Sequence, residues 1–551
     1  MTADLIITGK ILTGTSNQEI AQVMAVKEGK ICYIGDIKDS EYYRGPDTRL
    51  IDISNGCIIP GIFEGHAHPT SGVPIFQGIN LYEKESVAHY RETIDDYIQT
   101  YPQKQYIIGR GFINSHFGQM GPSAEYLDKK YPDKFFYLES EDCHSCLVSG
   151  NVLQLAGINK DTKEWENGVI VREEKSGNPT GWLKEKEMTR IKNIYPRATV
   201  EEYKNTILKF QEMSIRNGIT AAYEPMVDDD GNFENKIEAY YQLDNEDRLI
   251  LDFRIGITID PSDGTKNLIK IAELQKQKKG KHIEIMGIKI FVDGVVEGHT
   301  AYLREDYADA PGDCGRSMWN QNILNQIIAQ AIGMDMTVHV HVMGDAALDC
   351  ALESFEVARS IHGPKDLRNC LTHLQIVQTD QFIQMKNLNL IAVTNPYWHF
   401  RNPAYFEKLE SPYLGDIRAE NEYPVKEFFS QNIVVTQASD WPVSFSNNPF
   451  IGMEIAVTRK EIGSLDMKPL NQKEAVSRQD MFQALTANGA YQMKLEKELG
   501  TLEVGKRANF VILDQNPMEL IESEIAKIKV IGNFFEGIDY LGADVRTRSI
   551  F

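Results

Sequence analysis

His66 and His68 stand one residue apart in the stretch Gly65–Pro69, directly after the apolar run Cys57–Phe63. Side chains alternate faces along a strand, so these two imidazoles point the same way and make half of a metal site. The spacing recurs at His339 and His341, inside Val338-His-Val-His-Val-Met-Gly-Asp-Ala-Ala347, and a fifth histidine, His373, lies in Leu371-Thr-His-Leu-Gln375. Asp440 closes the apolar run that starts at Ile433 and is followed by Trp441-Pro442, where an aspartate capping the turn is the plain alternative to a ligand. In Gly287-Ile-Lys-Ile-Phe-Val-Asp-Gly294 the alternation puts Lys289 on the same face as Phe291 and Asp293. A lysine there either reaches water or pairs with Asp293. Alternatively, carbon dioxide carbamylates it, turning a cation into a bidentate anion that bridges two metal ions.

Positioning these groups requires strands that end near one another. Strand-like runs at Cys57–Phe63, Gly218–Tyr223, Leu251–Ile257, Ile285–Val292, Thr337–Val342, Leu371–Leu374, Leu390–Thr394 and Ile433–Ala438 alternate with longer helical patterns. That alternation marks βα units around a parallel sheet, and the number suits a (β/α)8 barrel, whose active groups gather at the C-terminal strand ends. The His-x-His pair, the lysine, the later histidines and the aspartate each fall in or just after such a strand. Residues 1–58 and 498–551 read as short strands and turns, with Glu28-Gly29 and Gly532-Asn533 as turns. Neither end has enough apolar surface to fold alone, so the two are expected to form one small composite β-sandwich. The barrel is expected over 59–497. The charged, irregular region at about 73–200 is an expected inserted subdomain covering the barrel mouth.

Asn395-Pro-Tyr-Trp-His-Phe-Arg401 places Tyr397, Trp398, His399 and Arg401 just beyond a strand. With Trp441 these residues form either core or a pocket for an apolar or aromatic substrate with a polar end. His116 and His144 are further candidates from the insert. Cys143 and Cys146 form a Cys-x-x-Cys without a second pair, and seven scattered cysteines do not resemble a disulfide framework.

A formal charge of -21 argues against nucleic acid or an anionic membrane as partner. No run approaches the roughly 18 apolar residues of a membrane span, and the N-terminus has no export pattern. The expectation is a cytoplasmic protein acting on a small molecule, with a homodimer as the candidate assembly.

Taken together these motifs resemble the amidohydrolase superfamily, specifically the family 3 branch with N-substituted formamide deformylase-like enzymes. The likeness rests on Ile59-Pro-Gly-Ile-Phe-Glu-Gly-His-Ala-His68, Lys289-Ile-Phe-Val-Asp-Gly294 with Thr300-Ala-Tyr-Leu303, and His341-Val-Met-Gly-Asp-Ala346. Thr372-His-Leu-Gln375, Ser439-Asp-Trp-Pro442, Asn488-Gly-Ala490 and Gly500–Asp514 extend it. The resemblance implies that His66, His68 and Asp440 bind one divalent metal and His341 and His373 another. Lys289 would bridge them as N6-carboxylysine, with His339 supporting a ligand rather than binding. It implies zinc, as one or two ions per subunit, and hydrolysis of a linear amide or formamide in which Asp440 moves the proton. Rival readings are a deaminase or cyclic-amide hydrolase on the same barrel, or a non-catalytic binding relative. Two departures stand out. Gly298-His299 replaces a common Ser-Arg, which makes His299 a substrate-contact candidate, and Glu64-Gly65 replaces a common Asp-Ser, which bears on metal support.

Overall fold

The computed structural model describes residues 2–542, apart from 18, 83, 119–120, 142–144, 166–167, 193, 228–231, 262–263, 404, 445 and 465. The chain divides into two compact units, residues 1–69 with 210–551, and residues 70–209.

In the first unit eight strands pair in chain order: β1 (Ile62–Glu64), β2 (Ile219–Val227), β3 (Asp252–Thr258), β4 (Ile283–Phe291), β5 (Thr337–Val342), β6 (Cys370–His373), β7 (Ile391–Thr394) and β8 (Val435–Gln437). Every ladder among them is parallel. Their sequences are rich in Ile and Val on both faces, as parallel strands covered on both sides must be. Helices such as Gln321–Gly333, opened by Asn320 accepting the Asn322 N–H, lie between them and bury Leu324, Ile327, Ile328 and Ala331 at helical spacing. The expected (β/α)8 barrel is therefore present. Main-chain bonds seal its seam: the Gly65 N–H donates to the Gln437 carbonyl at 3.0 Å, and the Asp440 N–H to the His66 carbonyl at 2.8 Å.

The apolar run at Cys57–Phe63, expected as one strand, is two. Strand Arg49–Pro60 belongs to another sheet, and the barrel begins at Ile62. Gly61 marks the handover, because a Cβ there would stand 2.3 Å from Thr220 Oγ1. A continuous apolar run has no periodicity to reveal such a break.

Strand Arg49–Pro60 lies between Leu5–Leu12 and Phe510–Leu513, so both chain ends share one seven-stranded sheet. The sheet rolls over its own apolar face. The Ile31 N–H donates to the Lys506 carbonyl and the Ala508 N–H to the Gly29 carbonyl, enclosing Ile7, Met24, Ile58, Phe510 and Phe534. The turn at Glu28-Gly29 forms with both φ angles positive. The turn expected at Gly532-Asn533 does not. Those residues sit within strand Val530–Phe535, where Asn533 Nδ2 donates to the Ile215 carbonyl, and the chain turns instead at Glu536-Gly537.

The second unit is more regular than its charged sequence implies. Six strands, Gly168–Arg172, Pro179–Glu185, Ser145–Val148, Phe135–Ser140, Tyr106–Phe112 and Ile79–Asn80, pair in that order. Helix Val87–Thr100, capped by Ser86, adds Tyr90, Ile94 and Ile98 to a core with Ile107, Phe136 and Leu138. The charges flank this core and mask its periodicity. Among the described residues no helix is long and apolar enough to cross a membrane.

Candidate metal centre

The seam of the barrel brings together side chains more than 370 residues apart in the sequence. His66 and His68 follow β1, Asp440 follows β8, and both imidazole Nε2 atoms face one carboxylate oxygen. His66 Nε2 lies 3.2 Å and His68 Nε2 2.8 Å from Asp440 Oδ1. The two Nε2 atoms are 3.2 Å apart. One ligand atom from each of the three residues falls within 4.8 Å of the others, and among the described residues this is the group of His, Cys, Asp or Glu so arranged. All three are buried. Gly65 permits this approach, since a Cβ there would meet the Gln437 carbonyl at 2.8 Å.

The remaining predicted ligands ring the triad. His66 and His373 have ring centroids 5.4 Å apart, and His373 and His341 4.5 Å. His66, His373 and His341 are each oriented by the other nitrogen, whereas His68 Nδ1 has no hydrogen-bond partner. His66 Nδ1 lies 2.9 Å from His339 Nε2 and 3.2 Å from Thr372 Oγ1. His373 Nδ1 is 2.9 Å from Asn395 Oδ1, and His341 Nε2 is 3.1 Å from the Gly294 carbonyl. A nitrogen that donates outward leaves the opposite one with a free lone pair, so the atoms turned toward a metal are Nε2 of His66 and His373 and Nδ1 of His341.

Electrostatics supports the same use. Burial and the Lys289 charge hold the His66 imidazole well below its usual range, so it is neutral, and burial acts likewise on His341 and His373. Burial works to raise the Asp440 carboxyl, but the adjacent imidazoles outweigh it and keep the group ionised. Lys289 is fully buried, its Nζ has no hydrogen-bond partner, and burial pushes its amine down to about 7. A neutral amine is the form that carbon dioxide can modify.

These residues fit a divalent cation. Two imidazole nitrogens and a carboxylate oxygen converge at 2.8–3.2 Å, the kind of donor set that a borderline divalent cation prefers. An orphaned buried amine beside them fits a lysine whose charge is altered by modification.

Most of the predicted substrate contacts have other duties. Tyr397 is buried and donates to the Asn448 carbonyl at 2.7 Å. His399 is fully buried against Tyr423, with ring centroids 4.3 Å apart. Arg401 pairs with Glu420 and Glu407 and stacks over Phe406. Trp441 is buried near Phe210. His299, at a left-handed φ of 54°, stacks on Tyr307 and faces Asp309 at 3.2 Å. Trp398 alone of this group stacks on a candidate ligand, His373, at 5.3 Å while half-buried. His116 bonds Tyr90 within the second unit at 2.8 Å. His144 and Cys143 lie outside the described residues, and Cys146 is buried.

Three residues have roles that the sequence reading did not assign, Glu64 being named there only as bearing on metal support and Asp293 only as a partner for Lys289. Glu64 accepts the N–H of His66 and of Ser439, Asn395 orients His373, and Asp293 accepts the N–H of Met343, Gly344 and Tyr302. A polar residue at a strand end or within two residues of it was the available signal for each.

The profile of the amidohydrolase family matches residues 49–537. The chain is 24% identical to the N-substituted formamide deformylase of Arthrobacter pascens, over 97% of both chains. It is 25% identical to Protein LONG AFTER FAR-RED 3 of Arabidopsis thaliana, over 95% of this chain and 89% of that protein. Among solved structures, an uncharacterized metal-dependent hydrolase from Pyrococcus furiosus superposes with a TM-score of 0.74 at 23% identity, covering 94% of this chain and all of that one.

Proposed function

The chain belongs to the amidohydrolase family, and from that membership we propose that it hydrolyses a carbon–nitrogen bond other than a peptide bond, in a linear amide or N-substituted formamide. The observation that carries this reading is the convergence of His66 Nε2, His68 Nε2 and Asp440 Oδ1 at the C-terminal rim of the barrel, within reach of one cation. His66, His68 and Asp440 would hold one ion, and His341 and His373 a second, with Lys289 as N6-carboxylysine supplying the anionic oxygens that this second pair lacks. Zinc suits imidazole and carboxylate donors, and when bound it polarises a carbonyl and makes water more acidic.

The protein's own groups do the rest. Asp440 turns one oxygen to the imidazoles, which leaves the other to take the proton of an attacking water and return it to the departing nitrogen. His339 and Asn395 hold His66 and His373 in the tautomers that keep their lone pairs inward. Trp398 stacks on the His373 ring at 5.3 Å and would border the substrate's approach.

The test is to reconstitute the purified protein with zinc and screen formamides and linear amides for amine release. Asp440→Asn is expected to lower kcat by about 10²- to 10⁴-fold. Release of ammonia instead of an amine would move the assignment to a deaminase, and wild-type turnover by Asp440→Asn would end it.

A further inference from the structure

The second unit holds a cavity of about 290 Å³ between helix Val87–Thr100 and its six-stranded sheet. Val87, Tyr90, Arg91 and Ile94 reach it from the helix, at the spacing of a single helical face. Phe112, Leu138 and Leu147 reach it from three neighbouring strands. The turn Asn114–Phe117 and the helix Glu125–Lys130 supply further wall.

Floor and rim differ in chemistry. Ile94, Phe112, Leu138 and Leu147 are buried members of the unit's core, and their side chains offer water no hydrogen bond. Each buried water needs about two to four polar partners, so this floor is better filled by an apolar group.

The rim carries donors that the protein does not use. Arg91 is exposed, with its Cζ 4.6 Å from the centroid of the Tyr126 ring, and the Tyr126 hydroxyl is tied to Asp95 at 2.7 Å. Among the described residues Arg91 makes no ion pair or hydrogen bond through its side chain. Asp95, one helical turn on, does not pair with it, because Tyr126, Tyr131 and Lys130 take its oxygens. Glu125, the acid in the wall, pairs with Lys129 at 2.5 Å. His116 is the second free donor. The Tyr90 hydroxyl oxygen accepts the Ile113 N–H at 2.9 Å, so its own proton goes to His116 Nδ1 at 2.8 Å and the imidazole keeps its proton on Nε2. Among the described residues that Nε2 has no partner.

An unpaired guanidinium and an N–H around the mouth of an apolar space match a carboxylate on a compact apolar body. A cationic ligand would meet Arg91 as a like charge, and a neutral one would leave it unpaired. The net charge of -21 repels anions in general, so recognition here depends on these local donors.

We propose that the second unit carries a binding site for a small organic monocarboxylate, with the carboxylate on Arg91 and His116 and the apolar body between the helix and the sheet. The site shares no residue with the metal centre, and it does not depend on the hydrolase reading above.

The test is calorimetric titration of the full-length protein, both zinc-reconstituted and chelator-treated, with sodium octanoate, sodium acetate and 1-octanol. Wild type is expected to bind octanoate at least about tenfold more tightly than acetate or 1-octanol, equally well with and without zinc. Arg91→Gln changes an exposed side chain and should keep the wild-type thermal melt. It should weaken octanoate binding by at least about tenfold and leave 1-octanol binding unchanged. Hydrogen exchange measured with octanoate present should slow within Val87–Thr100. Equal affinity for octanoate and 1-octanol would overturn the site, as would octanoate affinity unchanged in Arg91→Gln. Octanoate binding that disappears without zinc would place the carboxylate at the metal centre and overturn the site as well, and so would exchange that slows only outside the second unit.

Discussion

Glu64 tests the reasoning about the barrel seam most directly. Its Oε1 accepts the N–H of His66 at 3.1 Å and of Ser439 at 2.9 Å, so one side chain ties the first histidine pair to the residue before Asp440. The same burial that makes these bonds dry pushes the Glu64 carboxyl from 4.5 to about 7. Because the native value lies above the unfolded one, the native state binds more protons between them, and stability falls as pH rises through that window. For metal-free protein the cost of ionising Glu64 works out at about 1 kcal/mol at pH 5 and about 3 kcal/mol at pH 8. Glu64→Gln keeps a carbonyl acceptor for both N–H groups and removes the ionisation, with the Ser439 hydroxyl placed to accept from the new amide. It is therefore expected to stabilise the metal-free protein by about 3 kcal/mol at pH 8 and by about 1 kcal/mol at pH 5.

Glu64→Ala separates the two effects. It relieves the same ionisation but leaves two buried N–H groups unpaired, at about 1–3 kcal/mol each. At pH 5 the loss dominates and the variant should be less stable than wild type; at pH 8 the two contributions oppose and the difference narrows. The assay is urea unfolding of chelator-treated protein at both pH values, followed by fluorescence. A Glu64→Gln protein less stable than wild type at pH 8, or an advantage that does not shrink toward pH 5, would refute the account.

Lys289→Met should make the metal-free protein more stable than wild type at pH 7, measured by thermal melting, because it removes a buried amine with no partner. Zinc reconstitution of wild type should speed up with added bicarbonate and as pH rises through about 7, where the Lys289 amine becomes neutral, while the methionine variant shows neither response. Asn395→Ala frees His373 Nδ1 and is expected to weaken metal binding by about 10- to 100-fold, read by competition with a chromogenic chelator. Unchanged affinity there would show that Asn395 does not select the His373 tautomer.

Much of the centre was legible because strand geometry is local. Two residues of spacing is enough to put His66 with His68 and His339 with His341 on common faces, and β5 spans Thr337–Val342 as expected. Lys289 was legible for the complementary reason, as the one cation on an otherwise apolar strand. What stayed hidden depends on which strands become neighbours. Glu64 matters only because β1 closes against β8, and Asn395 only because β7 follows β6 around the barrel. Backbone conformation hid more. His373, Leu374 and Asp440 adopt left-handed φ values of 76°, 53° and 59°, which bend the chain just past the strand ends and which no pattern of residue types announces. Aromatics beyond β7 left core and pocket both open because type cannot tell inward from outward in irregular segments, and most of them pack against the chain itself.

The details of the histidines bear on whether the fold serves chemistry or only binding. A barrel kept for recognition alone needs its rim occupied, not its rim poised, and nothing would then prevent each imidazole from spending both nitrogens on neighbours. Here His66, His341 and His373 each give one nitrogen to a neighbouring group and keep the other inward, held neutral by burial. Asp440 stays ionised although burial opposes it. Lys289 is left unpaired in the middle of the set, where a methionine would be more stable. The orphaned Lys289 amine and the inward-facing imidazole nitrogens are groups that a bound cation would satisfy. A centre left open in this way until a cation arrives is what electrostatic preorganisation for a reaction requires.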